Sequence, residues 1–350
     1  MRVIIHGGKH KTGTTSLQMS MQKARATLAS LGIHYPAARD GQHVTLLDPR
    51  RPDWTPDRLV AERATASAQG AHTLFLSLES VSLLSADQFH QISGLFAQDD
   101  LEFLFVFRNW HTYWPSRWAQ NCSRRDTQGF AGYLDMISRP DLAHPDLHFD
   151  LAIERALATR AAVVALSFES ALRHAQGLVA AILAAAGLSR EAIDAVTLHE
   201  TRVNERLPWQ VTEVLRLLNG ILANVQGRPQ DDLCLSAAEA RMPAASFWLS
   251  RAWSSLDPDL ANRLVAIVTP HGADRHYDVP AVATAVKQLN RYANLFANSN
   301  GGPALENPSE CRVTTTDLDW RGFMDDHREL AIEAVRLLWR RASQIATGSS

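Results

Sequence analysis

Apolar residues in the first 200 positions of the chain occur in short runs, and segments with helical periodicity separate these runs. The runs have the length and composition of buried strands, and they are Arg2–Ile5, His72–Leu78, Leu101–Phe107 and Ala161–Phe168. Because buried parallel strands need crossover connections, usually helices, this alternation predicts a parallel sheet and a three-layer α/β fold. Ligands of such sheets bind at the carboxyl ends of the strands.

The individual elements follow from the same pattern. The first run ends at Gly7-Gly8, and apolar residues from Leu17 to Leu31 then recur at helical spacing until Gly32. A second helix is expected from about His111, and a third over Ser170–Ala186. The chain therefore opens as a strand, a tight loop and a helix.

The second half of the sequence has a more helical character. Helices are predicted over Val211–Leu222, Ala245–Leu256, Pro258–Val268, Val279–Ala297 and about Met324–Ile345. The stretch Asn298–Thr316 is rich in Gly, Pro, Ser and Asn and is typical of a long loop. We therefore expect an α/β core over residues 1–208 and a mainly helical part over residues 209–350, packed together as one compact domain.

Composition narrows the classes of partner. The chain has 350 residues, 46% of them hydrophobic, and a formal net charge of −2, which argues against a general affinity for nucleic acid or for anionic membranes. Its three cysteines are far apart and show no metal-binding spacing, so we expect a reduced, cytoplasmic protein without a zinc site. No apolar segment has the length of a membrane span or of a signal sequence, so a soluble, unanchored protein is expected.

The loop after the first predicted strand carries the clearest chemical signal. Gly8 and Gly13 have the glycine spacing of a nucleotide-binding GxxxxGK[ST] loop, but Thr14 stands where that motif has lysine, and the lysine is Lys11. Backbone N–H groups and hydroxyls at a helix N-terminus still favour an anion, and here they come from Lys11, Thr12, Gly13, Thr14, Thr15 and Ser16. A plain threonine-capped turn accounts for the glycines and hydroxyls, and it accounts less well for the lysine.

The order Lys11-Thr12-Gly13-Thr14-Thr15 resembles the 5′-phosphosulfate loop of sulfotransferases that use PAPS (3′-phosphoadenosine 5′-phosphosulfate) and release PAP. The resemblance implies an arginine at the end of a later strand and a serine in the next helix, both holding the 3′-phosphate. Arg108 and Ser116 stand at those places. Scattered blocks of Met1–Asn204 are similar to the bacterial and glycan-sulfating branch of that family, so a P-loop-like fold and a carbohydrate, glycolipid or small-molecule hydroxyl acceptor are expected.

The resemblance also implies catalytic roles. Lys11 would stabilise the leaving phosphate, and Glu79, in a segment similar to the family's SxE motif, would be the base that takes the acceptor proton. His43, on the loop after the first helix, is a second candidate base, although such a histidine is commonly only a solvated side chain. Asn204 resembles a donor-contacting asparagine, but the serine expected two positions later is replaced by Arg206. No metal is expected.

Two other classes of function stay open. A P-loop kinase or NTPase would need a lysine directly after Gly13 and a strand-end aspartate for Mg²⁺. A module that binds nucleotide without catalysis would keep the fold and serve a partner. The residues also have ordinary structural interpretations: Glu79 as a first-turn carboxylate, Arg108 as a surface ion-pair partner, and the tryptophans Trp110, Trp114 and Trp118 as packing residues.

Overall fold

A computed structural model describes residues 1–9, 11–38, 41–123, 126–200, 208–216, 253, 258–297, 304–305 and 312–318, with isolated positions 327, 329 and 337. The chain forms two compact units. The first comprises Met1–Tyr113, Ile137–Glu205 and Pro280–Cys311. The second comprises Trp114–Met136, Arg206–Val279 and Arg312–Ser350. Along the sequence, one change from the first unit to the second falls between Glu205 and Arg206, near the expected boundary at residue 208. Each unit also contains segments from other parts of the chain.

The first unit contains a five-stranded sheet in the order β2-β3-β1-β4-β5 with every pair parallel, so the predicted parallel α/β sheet is confirmed. Its strands are β1 (Arg2–Gly8), β2 (Ile33–His34), β3 (Thr73–Ser77), β4 (Asp100–Phe107) and β5 (Ala162–Ser167). The sequence pattern missed β2, because two residues are too short to stand out as an apolar run. Since β1 lies in the centre, the loop at its carboxyl end is flanked by the ends of β3 and β4.

Helices connect these strands. They are α1 (Thr14–Ser30), α2 (Val44–Leu47), α3 (Pro56–Ala68), α4 (Ala86–Gly94), α5 (Trp110–Cys122), α6 (Phe130–Ile137), α7 (Asp150–Ala158), α8 (Phe168–Leu172), α9 (Gly177–Ala185) and α10 (Arg190–Thr197). A 3₁₀ helix, Glu79–Leu83, follows β3. The predicted start of α1 directly after Gly13 is confirmed.

Alternate side chains of β4 point to opposite faces of the sheet and show that helices cover both. Leu104 and Val106 belong to a buried cluster with residues of α1, α9 and α10. Phe103 and Phe105 pack instead against Phe89 of α4, at ring-centroid distances of 5.1 and 6.4 Å. This arrangement is compatible with the three-layer α/β architecture that the alternating pattern predicts.

Two predictions about local structure were wrong. The helix expected over Ser170–Ala186 is broken into α8 and α9, because Ser167 caps a short first helix and Gly177 has a φ of 86° at the start of the second. The long loop expected over Asn298–Thr316 includes part of a strand, β7 (Arg312–Leu318), in which Val313 and Thr315 are buried and Arg312 and Thr314 are exposed. This alternation is typical of a half-buried strand, and the run of threonines concealed it.

The C-terminal half is therefore not wholly helical. In the second unit, β7 pairs antiparallel with β6 (Gly272–Asp278), while α11 (Pro258–Val268) has the predicted bounds and residues 209–216 are helical. In the first unit, the predicted helix Val279–Ala297 is α12 (Ala281–Leu289) followed by a 3₁₀ segment, Asn290–Leu295. Apart from Trp253 and positions 327, 329 and 337, the helices expected over Ala245–Leu256 and Met324–Ile345 lie outside the described residues.

Candidate functional site

The turn between β1 and α1 is anchored by its first lysine. The amide of Lys9 donates to the Val106 carbonyl (3.1 Å), and its buried ammonium donates to the Pro145 carbonyl (2.7 Å). The same ammonium lies 5.1 Å from the centroid of the Phe149 ring. These contacts hold the base of the loop, so Lys9 has a structural role, whereas Lys11 is half-buried.

The middle of the loop adopts a backbone conformation that depends on glycine. Lys11 and Gly13 have φ values of 67° and 75°, in the left-handed region. A Cβ atom on Gly13 would stand 2.2 Å from Cδ2 of Leu178, so α9 leaves no room for a side chain there. The Thr12 hydroxyl donates to the Lys9 carbonyl (2.7 Å) and braces the turn from inside.

The N-terminus of α1 has the features of an anion site. Gly13 is the N-cap residue and provides no side-chain hydrogen bond to the first turn, where Thr14 and Thr15 lie. Of the first-turn amides, that of Ser16 donates to the Gly13 carbonyl (3.1 Å). A helix of 17 residues places partial positive charge at this end. Helix N-termini are general binding sites for negatively charged groups, and anion binding at this one stays a prediction.

Glu79 is brought to this helix end by the parallel pairing of β3 with β1. The hydroxyl of Thr14 donates a hydrogen bond to Oε1 of Glu79. Three residues further on, the Ser82 hydroxyl donates to the Gly8 carbonyl (2.7 Å), which fixes the 3₁₀ segment against the loop. The anion-binding candidate and the candidate base are thus in direct contact.

Arg108 lies on the opposite side of the loop, at the carboxyl end of β4. Its Nη1 donates to the Lys11 carbonyl (3.0 Å), and its Nε donates to the Thr112 hydroxyl (3.1 Å). Its guanidinium carbon lies 5.0 Å from the centroid of the Phe168 ring. These contacts turn the side chain toward the loop.

The other two donor residues expected from the resemblance remain predictions. Ser116 lies on α5 and is buried, but it belongs to the second unit. Asn204 lies outside the described residues, together with its neighbour Arg206. The tryptophans of α5 are buried, as expected for packing: Trp110, Trp114 and Trp118 are at most 2% exposed.

His43 is engaged in structural hydrogen bonds. The Ser77 amide donates to its Nδ1 (2.9 Å), so the ring proton is on Nε2, which donates to the Pro36 carbonyl (3.0 Å). Burial lowers the pKa of His43 to about 4, although the Pro36 carbonyl acts in the opposite direction. From the sequence, His43 was the weaker of two candidate bases, on a loop where such a histidine is commonly only a solvated side chain. Its burial contradicts a solvated position, and its contacts favour Glu79 as the base.

A buried polar cluster lies close to Glu79 and includes His6 of β1. The Nδ1 of His6 is 2.8 Å from the Ser77 hydroxyl, to which Nε2 of Gln18 also donates (3.0 Å). Burial lowers the pKa of His6 to about 4, and the Glu79 carboxylate acts in the opposite direction. The sequence signal for this cluster was a serine and a glutamine at positions that face a buried strand. Polar residues at such positions ordinarily find hydrogen-bond partners within the fold, so they do not by themselves indicate a functional site.

A cavity of about 600 Å³ lies toward the β2 edge of the sheet, and His43, one of its lining residues, is hydrogen-bonded to the Ser77 amide. Its walls come from the segment around Gln42 and His43 and from α3, which contributes Arg58 and Glu62. Because β3 lies between β2 and β1, the cavity and Arg108 are on opposite sides of the loop. The volume is in the range of small-molecule pockets.

The described residues contain no group of three or more His, Cys, Asp or Glu side chains arranged to hold a metal ion. Within the same part of the chain, every helix is too short or too polar to cross a bilayer. No protein-family model matches the sequence, and a search of curated proteins finds no match either. A functional assignment therefore depends on the residues at the carboxyl edge of the sheet.

Proposed function

We propose that this protein is a PAPS-dependent sulfotransferase that transfers a sulfuryl group to an acceptor hydroxyl. The proposal rests on one observation: Arg108, Glu79 and the loop between β1 and α1 lie together at one edge of the sheet. Arg108 is hydrogen-bonded to the carbonyl of Lys11, and Glu79 is hydrogen-bonded to Thr14 three residues further along the same loop. The sequence motifs that resemble the family are thus also neighbours in space.

The residues of the first unit fit such a donor. The α1 N-terminus and the hydroxyl of Thr15 suit the 5′-phosphosulfate, because they supply donors and partial positive charge, whereas the Thr14 hydroxyl donates its proton to Glu79. Arg108 suits the 3′-phosphate, because a guanidinium held at its Nε and Nη1 has a defined plane for a bidentate contact. Contributions of Ser116 and Asn204 to the donor site are part of the proposal.

The chemistry is an in-line displacement in which positioning and charge stabilisation dominate. The acceptor oxygen forms a bond to sulfur while the bond from sulfur to the bridging phosphate oxygen breaks. The Lys11 ammonium neutralises the charge that develops on that oxygen. The Glu79 carboxylate takes the proton of the acceptor hydroxyl, so the products are a sulfate ester and PAP.

The cavity at the β2 edge is proposed as the acceptor side. It lies on the Glu79 side of the loop, whereas Arg108 lies on the other, so donor and acceptor would approach from opposite directions. In-line transfer requires the acceptor oxygen to lie opposite the bridging phosphate oxygen across the sulfur, and the proposal has the acceptor enter on the Glu79 side. The glycan or other hydroxyl compound expected from the resemblance would enter here, in a cytoplasmic protein that needs no metal.

The kinase or NTPase alternative is supported less well. Thr14 occupies the position of the motif lysine and donates to Glu79, so its hydroxyl is turned toward a carboxylate. Arg108 ends β4, where a magnesium-binding aspartate is expected in a P-loop NTPase. A module without catalysis would not need a carboxylate beside the anion loop.

Titration of the protein with PAP and with ADP, by calorimetry in EDTA, tests the proposal. Micromolar binding of PAP and much weaker binding of ADP are expected, because ADP lacks the 3′-phosphate. Arg108→Ala should weaken PAP binding and leave ADP binding unchanged, while Arg139→Ala, on an exposed arginine paired with Asp141, should alter neither. Equal affinities for PAP and ADP, or binding that requires Mg²⁺, would contradict the proposal.

A further inference from the structure

Arg108 is held by a chain of hydrogen bonds that begins in α8, directly after β5. Glu169 follows that strand, and its Oε1 accepts a hydrogen bond from the Thr112 hydroxyl (2.9 Å). The Thr112 oxygen in turn accepts from Nε of Arg108 (3.1 Å). Because a hydroxyl has one proton, a Thr112 hydroxyl that donates to Glu169 directs a lone pair at the guanidinium. The Asn109 carbonyl is a second acceptor within reach of the same hydroxyl (3.1 Å), so the Glu169 carboxylate is the shorter and charged one of two acceptors that orient it.

The Glu169 carboxylate is itself fixed by the start of α5. Both of its oxygens lie 3.2 Å from the amide of Asn109, which donates to them. A carboxylate that accepts donors from the first turn of a helix is stabilised there by the helix dipole. Its negative charge is thus directed at α5, which limits its repulsion of an anion bound by Arg108.

The aromatic ring of Phe168 also contacts the guanidinium of Arg108. Its ring centroid lies 5.0 Å from the guanidinium carbon of Arg108, a distance typical of a cation–π contact. The ring, the Thr112 hydroxyl and the Lys11 carbonyl contact three different parts of the guanidinium. Together they define both its position and its plane.

We propose that Thr112 and Glu169 are positioning residues that orient Arg108 and thereby set the preference for a nucleotide with a 3′-phosphate. The inference rests on the proposed function, since it concerns the donor site of that reaction. A phosphate is bound most tightly by a guanidinium whose two donors are already aligned with two of its oxygens. Without the hydroxyl at position 112, Nε loses its acceptor and the guanidinium loses its fixed plane.

The test compares two substitutions at one position. Thr112→Val removes the hydroxyl and keeps the shape, whereas Thr112→Ser keeps the hydroxyl. Calorimetry with PAP and ADP in EDTA should show about a tenfold loss of PAP affinity in Thr112→Val, the size of effect that one charge-assisted hydrogen bond has. ADP affinity should stay within about twofold, since a contact to the 3′-phosphate is absent there. Thr112→Ser should behave as the wild type.

A second variant and a double variant make the test specific. Glu169→Gln should lower PAP affinity in the same direction but by less than Thr112→Val, because the amide weakens the support of the hydroxyl while the Asn109 carbonyl can still accept its proton. In Arg108→Ala, adding Thr112→Val should cause no further loss of PAP affinity, as expected for residues that act through one group.

The outcomes separate this inference from the proposed function. A wild-type protein without preference for PAP over ADP would reject both. A wild-type preference that Thr112→Val leaves intact would reject only the positioning role. Equal losses for PAP and ADP in Thr112→Val, with a lowered melting temperature, would show that the hydroxyl supports only the fold of α5.

Discussion

The Thr14 hydroxyl donates a hydrogen bond to the carboxylate of Glu79, a residue 65 positions later in the chain. The contact joins the first turn of α1 to the segment that follows β3. It places a carboxylate at the end of a helix whose partial charge is positive, so the dipole complements the side chain. The same contact joins Glu79, the proposed proton acceptor, to the loop that is proposed to bind PAPS.

Replacement of Lys11 by alanine is expected to affect turnover more than binding. Lys11→Ala should lower kcat by about 10²–10³-fold, as seen when one group that stabilises transition-state charge is removed. PAP affinity should fall by no more than about threefold, because the loop amides and Arg108 remain. Radiolabelled sulfate transfer and calorimetry measure the two effects. Lys23→Ala, on the exposed face of α1, is the matched control and should resemble the wild type. Parallel losses of kcat and PAP affinity would contradict a transition-state role.

Glu79→Gln should remove the base and preserve the site. Its amide oxygen can still accept the hydrogen bond from Thr14, so PAP affinity should be unchanged, while kcat should fall by about 10²–10⁴-fold. Single-turnover transfer assays at saturating donor measure the loss. Glu191→Gln, on the exposed side of α10, provides the control. Retention of more than about a tenth of the activity in Glu79→Gln would show that another group takes the proton.

Gly13→Ala is expected to destabilise the fold by about 2–4 kcal/mol, because it combines a left-handed backbone with a steric clash. The new Cβ would lie 2.2 Å from Leu178, and φ is 75°. Gly70→Ala is an internal control for the backbone term alone, since Gly70 has a φ of 72° and no atom within 4 Å of a Cβ placed there. Urea unfolding of both variants measures the difference. If Gly13→Ala costs no more than Gly70→Ala, the packing of α9 against the loop is not a determinant of stability.

Acidification should destabilise the protein through its buried histidines. Burial lowers the pKa of His43 from 6.5 to about 4 in the folded chain. The unfolded chain therefore binds more protons over this interval, so the free energy of unfolding falls as the pH drops from 6.5 toward 4. The loss approaches about 3 kcal/mol at the low end of the window.

The variant His43→Asn isolates this contribution, because Asn Oδ1 can accept the Ser77 amide hydrogen bond and does not titrate. Between pH 7 and pH 5, its free energy of unfolding, measured by urea denaturation, should decrease less than that of the wild type. Identical pH dependence in the two proteins would indicate that another group controls acid sensitivity. His6, whose pKa is lowered to about 4 by burial, would then be examined by the same comparison with His6→Gln.

Several features of the site were predictable because they are local. The break between an apolar run and a helical pattern located the loop at Lys11–Ser16, and α1 begins at Thr14 as expected. The runs that became β3 and β4 are followed directly by Glu79 and Arg108, and parallel strands bring their carboxyl ends to one edge of a sheet. The periodicity of α5 likewise predicted buried tryptophans.

Other features depend on contacts between residues far apart in the chain. Nothing in the sequence around His43 indicates that Ser77 and Pro36 occupy both of its ring nitrogens. The separate roles of Lys9 and Lys11 depend on Pro145 and Phe149, which β4, α5 and α7 bring to the base of the loop. The relay from Glu169 through Thr112 to Arg108 requires β5 to lie beside β4.

Apolar periodicity and turn chemistry are properties of neighbouring residues, so they predicted the four longer strands of the core, the start of α1 and the residue types at the strand ends, although they missed β2 and the break between α8 and α9. The tertiary structure decided which of those residues meet. Side-chain hydrogen bonds form over about 3 Å, and their partners are set by strand order and by packing between helices. For that reason Thr14 finds Glu79, Arg108 finds Thr112, and His43 turns inward to Ser77.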